Sequence, residues 1–125
     1  MMAGIGTDLV EMERFRSAIR RQGDRLLQKL FTPEESRYCE ERLNRLAHYA
    51  ARFAGKEAVL KALGTGWSGG IAWTDINIVR LGSGSVKVEL SGIAARVAEE
   101  LGVKRILLSL SHTDRYASAF AVAEQ

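Results

Sequence analysis

Alanine stands at positions 47, 50, 51, 54, 58 and 62 of this 125-residue chain. The spacing keeps these methyl groups on one broad face of a helix. The helix is predicted from about Asn44 to Leu63, with Gly64 just past its end. A face made of methyl groups lets another backbone approach closely. A helix that is close-packed in this way belongs at the centre of a fold, and the remaining elements must be arranged around it.

Residues 2–10 read as a first strand, with Ile5, Thr7 and Leu9 on one side and Gly4, Gly6, Asp8 and Val10 on the other. Helical spacing begins near Glu13, with Phe15, Ala18 and Ile19 on one face. Gly23 interrupts it, and Asp24 is expected to cap a short continuation. Thr32-Pro33-Glu34-Glu35 has the form of a capping box with proline at the first helical position. In the second half, 75–81 and 85–90 read as strands of a hairpin joined by Gly82-Ser83-Gly84. Ser91 is expected to cap a helix that Gly102 closes. Residues 105–111 and 116–123 read as a last pair of strands around His112-Thr113-Asp114. Neighbouring strands this close in sequence pair antiparallel, so the fold class is α+β, in a single domain over residues 1–125.

One proline and one cysteine exclude a disulfide framework, a cysteine-rich zinc site and a proline-rich linker. No stretch of about 18 apolar residues predicts a membrane-crossing helix. The first residues lack the basic and long apolar regions of a secretory signal, and a cytoplasmic protein is the expectation. The net charge of +3 is unevenly spread. Arg14, Arg16, Arg20, Arg21, Arg25 and Lys29 face only Asp24 across residues 14–29. Such a field attracts an acidic partner: nucleic acid, an anionic membrane or an acidic protein.

Asp8 is a carboxylate on an otherwise apolar strand, and Glu57 lies on the alanine-rich helix. Two carboxylates meeting at one point suit a hard cation such as Mg²⁺, completed by phosphate and water oxygens. The alternative is that Asp8 accepts backbone hydrogen bonds and Glu57 pairs with Lys61 four residues on. His48, Arg52 and Lys56 form one stripe with Lys61 beside it, a pattern suited to a polyphosphate or to a solvated face. Gly64-Thr65-Gly66-Trp67-Ser68-Gly69-Gly70 follows the helix, the reverse of a P-loop order, and its glycines permit a ligand's close approach. Trp67 and Trp73 read as core or interface aromatics, and basic residues do not interleave with aromatics as single-strand binding requires. Other readings of these residues are a nucleic-acid module, a non-catalytic binder of an acidic protein and a Mg²⁺-dependent phosphoryl-transfer enzyme.

Three blocks together resemble one family: Gly4-Ile5-Gly6-Thr7-Asp8-Leu9-Val10-Glu11; the run from Arg52-Phe53-Ala54-Gly55-Lys56-Glu57 to Gly64-Thr65-Gly66; and Ser109-Leu110-Ser111-His112-Thr113 with Tyr116-Ala117. Phe31-Thr32 with Glu35 adds a fourth point. The chain resembles the holo-acyl-carrier-protein synthases, the small trimeric class of 4′-phosphopantetheinyl transferases. That resemblance implies a 4′-phosphopantetheinyl transferase-like fold, an antiparallel sheet packed around a long central helix. It implies transfer of the phosphopantetheine arm of coenzyme A to a serine of apo-acyl-carrier protein for fatty acid synthesis, releasing adenosine 3′,5′-bisphosphate.

The resemblance further implies that Asp8 and Glu57 hold Mg²⁺, or Mn²⁺ in its place. Glu57, Asp8 and Lys61 are the expected catalytic group, Glu57 taking the serine proton through a metal-held water. Arg52, Lys56, Lys61, Gly64, Gly66, His112 and Thr113 are expected to bind coenzyme A. Arg14, Arg20, Arg21 and Arg25 are expected to dock the acidic carrier protein. A homotrimer with active sites at subunit interfaces is implied, with neither nucleic acid nor membrane as partner.

Overall fold

The 19-residue helix α4 (Arg45–Leu63) runs through the middle of the molecule and ends at Gly64 in the left-handed conformation. The computed structural model describes residues 1–66 and 69–125; Trp67 and Ser68, and with them the expectation for Trp67, lie outside the described residues. Strand β1 (Met2–Glu11) leads into α1 (Met12–Gln22), α2 (Asp24–Leu30) and α3 (Pro33–Glu40) before α4. A single 3₁₀ turn at Trp73–Asp75 then enters β2 (Ile76–Arg80), followed by β3 (Val86–Leu90), α5 (Gly92–Glu100), β4 (Arg105–His112) and β5 (Tyr116–Glu124). The α+β order is the expected one. The strands form two antiparallel sheets rather than one among the described residues: a three-stranded sheet in the order β1-β5-β4, and the β2-β3 hairpin.

Strands β1 and β5 lie on α4 through small side chains, while Leu108 and Leu110 of β4 reach Gly55 of the helix. Gly4, Gly6, Asp8 and Val10 of β1 pair with Ala123, Ala121, Ala119 and Ala117 of β5, and all four of those alanines are buried. On the helix side, Ala47, Ala50, Ala51, Ala54, Ala58 and Ala62 are buried as well. A Cβ at Gly4 would stand 2.1 Å from the Ala62 carbonyl oxygen, and one at Gly6 would stand 2.0 Å from that of Ala58. Backbone therefore rests on backbone, and glycine is required at both positions. Two residues of strand span roughly 6.6 Å and four residues of helix roughly 6 Å, so the two elements stay in step. The same progression carries Asp8 to the level of Ala54, within one turn of Glu57.

Thr32 caps α3 as the sequence predicts: its hydroxyl accepts the Glu35 N–H at 3.1 Å, and Glu35 accepts the Thr32 N–H at 2.9 Å. Two other expected caps differ. Gly23, with φ of 63°, occupies the N-cap of α2, and Asp24 lies inside the first turn. Ser91 holds the N-cap of α5 without a side-chain bond to it. Asp75 supplies that contact from outside, its Oδ2 accepting the Ala94 N–H at 3.4 Å and the Ala72 N–H at 3.3 Å. A carboxylate brought in by tertiary packing has no signature in the local sequence.

Candidate active site

The C-terminal half of β1 and the middle of α4 meet at one end of a groove of about 690 Å³. Asp8 and Glu57 both line it. Lys61 closes the pair: its ammonium donates to Asp8 Oδ1 at 3.2 Å and to the Thr7 carbonyl at 2.9 Å. Lys61 therefore bonds across to the strand, not to Glu57. Burial pushes the Glu57 carboxyl up from its ordinary value, the Asp8 charge adds to that, and Lys61 partly opposes it. Burial and the neighbouring charge thus both disfavour the ionised Glu57 carboxylate.

The groove's walls come from α1, α2 and the aromatics of α4. Phe15 is buried and packs on Phe53 at 5.7 Å between ring centroids, and Phe53 packs on Trp73 at 5.3 Å. Phe15 is thus a core residue. Trp73 is buried, as expected of a core aromatic. Arg14 and Arg21 line the groove on the α1 side. Arg20 and Arg25 are exposed and stand outside its lining.

Lys56 is a correction. It is fully buried, 2.7 Å from Glu35, and donates to the carbonyls of Trp73 at 3.0 Å and Ile76 at 2.5 Å. With three acceptors on three N–H bonds, the ammonium has none left for coenzyme A. Burial holds its pKa below the ordinary lysine value against the pull of Glu35. Glu35 also accepts the Ile78 N–H at 2.8 Å, so the buried pair ties α3, α4 and β2 together. The stripe of residues 48, 52 and 56 is real; its far end faces the core.

Arg52 is also buried, at 2% exposure, with its guanidinium 4.2 Å from the Tyr38 ring centroid. Its Nε and Nη2 have no hydrogen-bond partner among the described residues. Arg42 stacks on the same tyrosine ring at 3.9 Å. His48 stands edge-on to Tyr38 and to His112, with 5.7 Å between centroids in both cases. The groove lined by Asp8 and Glu57 includes neither Arg52 nor His112. The expected site residues therefore divide into an acidic pair beside α1 and a basic-aromatic cluster beside α3 and β4. Tyr38 is absent from the expected site, and His48 enters it only as the first member of the cationic stripe with Arg52. Their only sequence signal is helical spacing from Arg52 and Arg42.

Thr113 shapes the β4–β5 turn, its hydroxyl oxygen accepting the N–H groups of Arg115 and Tyr116 at 3.2 and 3.1 Å. Gly64 and Gly66 have φ of 78° and 54°, and a Cβ would meet nothing there, so backbone conformation selects glycine at both.

The model of the 4′-phosphopantetheinyl transferase superfamily matches residues 4–121. The chain belongs to that superfamily. It is 44% identical over 124 residues to a holo-[acyl-carrier-protein] synthase of Solibacter usitatus, covering 99% of both chains. It is 53% identical over 123 residues to one from Desulforudis audaxviator, covering 98% of this chain and 93% of the relative. The crystal structure of the holo-[acyl-carrier-protein] synthase from Neisseria meningitidis superposes with a TM-score of 0.93 at 33% identity, over the full length of both chains. The Helicobacter pylori synthase, solved in complex with coenzyme A, superposes at 0.82 with 26% identity over 96% of this chain and 99% of that one. The superfamily fold, a long central helix under antiparallel strands, is therefore this chain's fold.

Proposed function

We propose that this transferase moves the 4′-phosphopantetheine arm of coenzyme A onto a serine of an acidic apo-acyl-carrier protein, with Mg²⁺, for fatty acid synthesis. The observation that carries the reading is the acidic pair, Asp8 and Glu57, at the end of a groove that Arg14 and Arg21 also line. Names of full-length relatives support the substrate class.

The donor set fits a magnesium ion. Asp8 and Glu57 line one groove, which Glu11 and Glu13 also line, and among the described residues no group of three or more His, Cys, Asp or Glu side chains is gathered to hold a metal ion. Mg²⁺ characteristically takes one or two carboxylates and fills the remaining octahedral positions with phosphate oxygens and water. When bound, the ion neutralises charge on the pyrophosphate. Asp8 and Glu57 would hold it, with Mn²⁺ acceptable to the same oxygens.

The chain's residues align the reaction. Lys61 is fixed by Asp8 and Thr7 and has one N–H left to donate to a pyrophosphate oxygen. Arg14 and Arg21, with Arg20 and Arg25 extending the field, hold the acidic carrier so that its serine enters beside Glu57. The serine Oγ attacks the β-phosphorus, and the bond to the α-phosphate's bridging oxygen breaks. Adenosine 3′,5′-bisphosphate leaves, and Glu57 takes the serine proton. Little covalent help is needed; positioning and charge account for the rate.

His112, Thr113 and Arg52, together with Gly64 and Gly66, are assigned to the nucleotide end of coenzyme A. Because they stand apart from the acidic groove, a complete site draws on two subunits of a homotrimer. The outer face of the three-stranded sheet supports this: Ile5, Leu9, Leu107 and Phe120 are 56%, 66%, 45% and 50% exposed. Asp8→Ala tests the reading. It should abolish carrier-protein modification while leaving the circular dichroism spectrum unchanged; near-normal turnover would remove Asp8 from the mechanism.

A further inference from the structure

The cluster around Tyr38 holds a residue that the proposed chemistry does not use. His48 of α4 is half-buried, edge-on to Tyr38 of α3 and to His112 at the end of β4, with 5.7 Å between centroids for each pair. The charged groups acting on it are His112, Arg52 of α4, Arg42 of the α3–α4 turn and Arg80 of β2, and all are bases. Arg42, Arg80 and His112 are exposed, so the cluster opens to solvent, with Arg52 buried beneath it. Burial first, and then these cations, hold the His48 imidazole below its ordinary pKa. The same cations outweigh burial at Tyr38 and hold its phenol below its ordinary value. Glu35 and Glu40 act with Arg52 and Arg42 on the neighbouring Cys39, whereas the groups that act most on His48 are all bases, and such a set attracts an anion. The same set keeps an imidazole neutral until that anion arrives.

We propose that His48, paired with His112, is the residue through which this pocket takes up a proton from solution when a nucleotide phosphate binds. The proposal rests on the assignment of coenzyme A's nucleotide end to His112 and Thr113. A phosphate dianion entering the cluster offsets Arg42, Arg80 and Arg52. It then becomes favourable for the His48 imidazole to carry a positive charge and donate to the ligand. The proton comes from the buffer, and no bond is made or broken in the ligand. His48 would thereby make nucleotide affinity depend on pH across the neutral range, which an arginine at its place could not do.

The test is calorimetric titration of the full-length protein with adenosine 3′,5′-bisphosphate at pH 7, in Pipes and in Tris. These buffers release a proton with very different enthalpies. The expected result is a binding enthalpy that differs between buffers, corresponding to uptake of a substantial fraction of one proton per site. Affinity should tighten as the pH falls from 8 to 6, by at most about tenfold per pH unit for one coupled proton. His48→Phe keeps a ring against Tyr38 and His112, and His48→Gln removes the ring; both should bind with the buffer difference largely lost. Equal enthalpies in the two buffers with tight wild-type binding would overturn the proposal. So would uptake that persists in both His48 variants and disappears in His112→Gln. Absence of any nucleotide binding by the folded wild-type protein would instead reject the coenzyme A assignment, and the proposal with it.

Discussion

One added methyl group at Gly6 would sit 2.0 Å from a carbonyl oxygen of α4 and 2.7 Å from the Ala62 nitrogen. Neither backbone atom can step aside without moving the helix. Gly6→Ala should therefore cost about 3 kcal/mol or more, at or above the usual range for overpacking, measured as a lowered urea midpoint. Lys56 makes a second residue-scale prediction. Lys56→Ala leaves Glu35 as a buried, unpaired charge, and should destabilise the fold by about 3–5 kcal/mol. If Lys56 were instead a phosphate ligand, the variant would keep its urea midpoint and lose only coenzyme A affinity. The sequence makes Lys56 look like a member of a cationic stripe because helical spacing reports which residues share a line. It does not report what lies opposite that line. Here α3 and the Trp73–Ile76 turn lie opposite, and their contacts come from 17 to 21 residues away along the chain.

At the scale of elements, patterns set by neighbouring residues were the readable ones. The Thr32–Glu35 capping box, the left-handed Gly64 stop and the alanine face of α4 are all local, and all stand where the spacing put them. The Asp75 contact to α5 and the separation of the strands into two sheets depend on packing between distant segments, and spacing carries no trace of them. Asp8 was legible because a carboxylate in an apolar strand needs a partner, whereas Tyr38 resembled an ordinary helix residue and His48 stood out only through its line with Arg52. Helix α1 makes its own prediction. Arg14→Glu combined with Arg21→Glu reverses charge on the groove wall, and should weaken capture of an acidic carrier protein at least tenfold at low salt. Coenzyme A affinity should change much less, and equal losses for both ligands would refute the docking role. Helix α3 is probed through Cys39, which is fully buried and whose thiol burial pushes up to about 12. In the native state at pH 8 it should resist a disulfide reagent, and label only as fast as the fold opens.

For the whole molecule, the uncovered sheet face and the divided site make one demand. The sheet packs the glycines and alanines of β1 and β5, with Leu108 and Leu110 of β4, against its helix, and its other face presents Ile5, Leu9, Leu107 and Phe120 to solvent. Such a face normally marks an interface. Light scattering should give three times the 13.8 kDa chain mass. Phe120→Asp should lower that mass and lose turnover together. A fully active monomer would contradict the shared site. The central claim is tested most directly by intact-mass spectrometry of an apo-acyl-carrier protein incubated with this protein, coenzyme A and Mg²⁺, beside an EDTA control. The account predicts a gain of one phosphopantetheine group on the carrier serine that EDTA abolishes. An unchanged mass across several apo-carrier proteins, with the enzyme folded and coenzyme A bound, would contradict it.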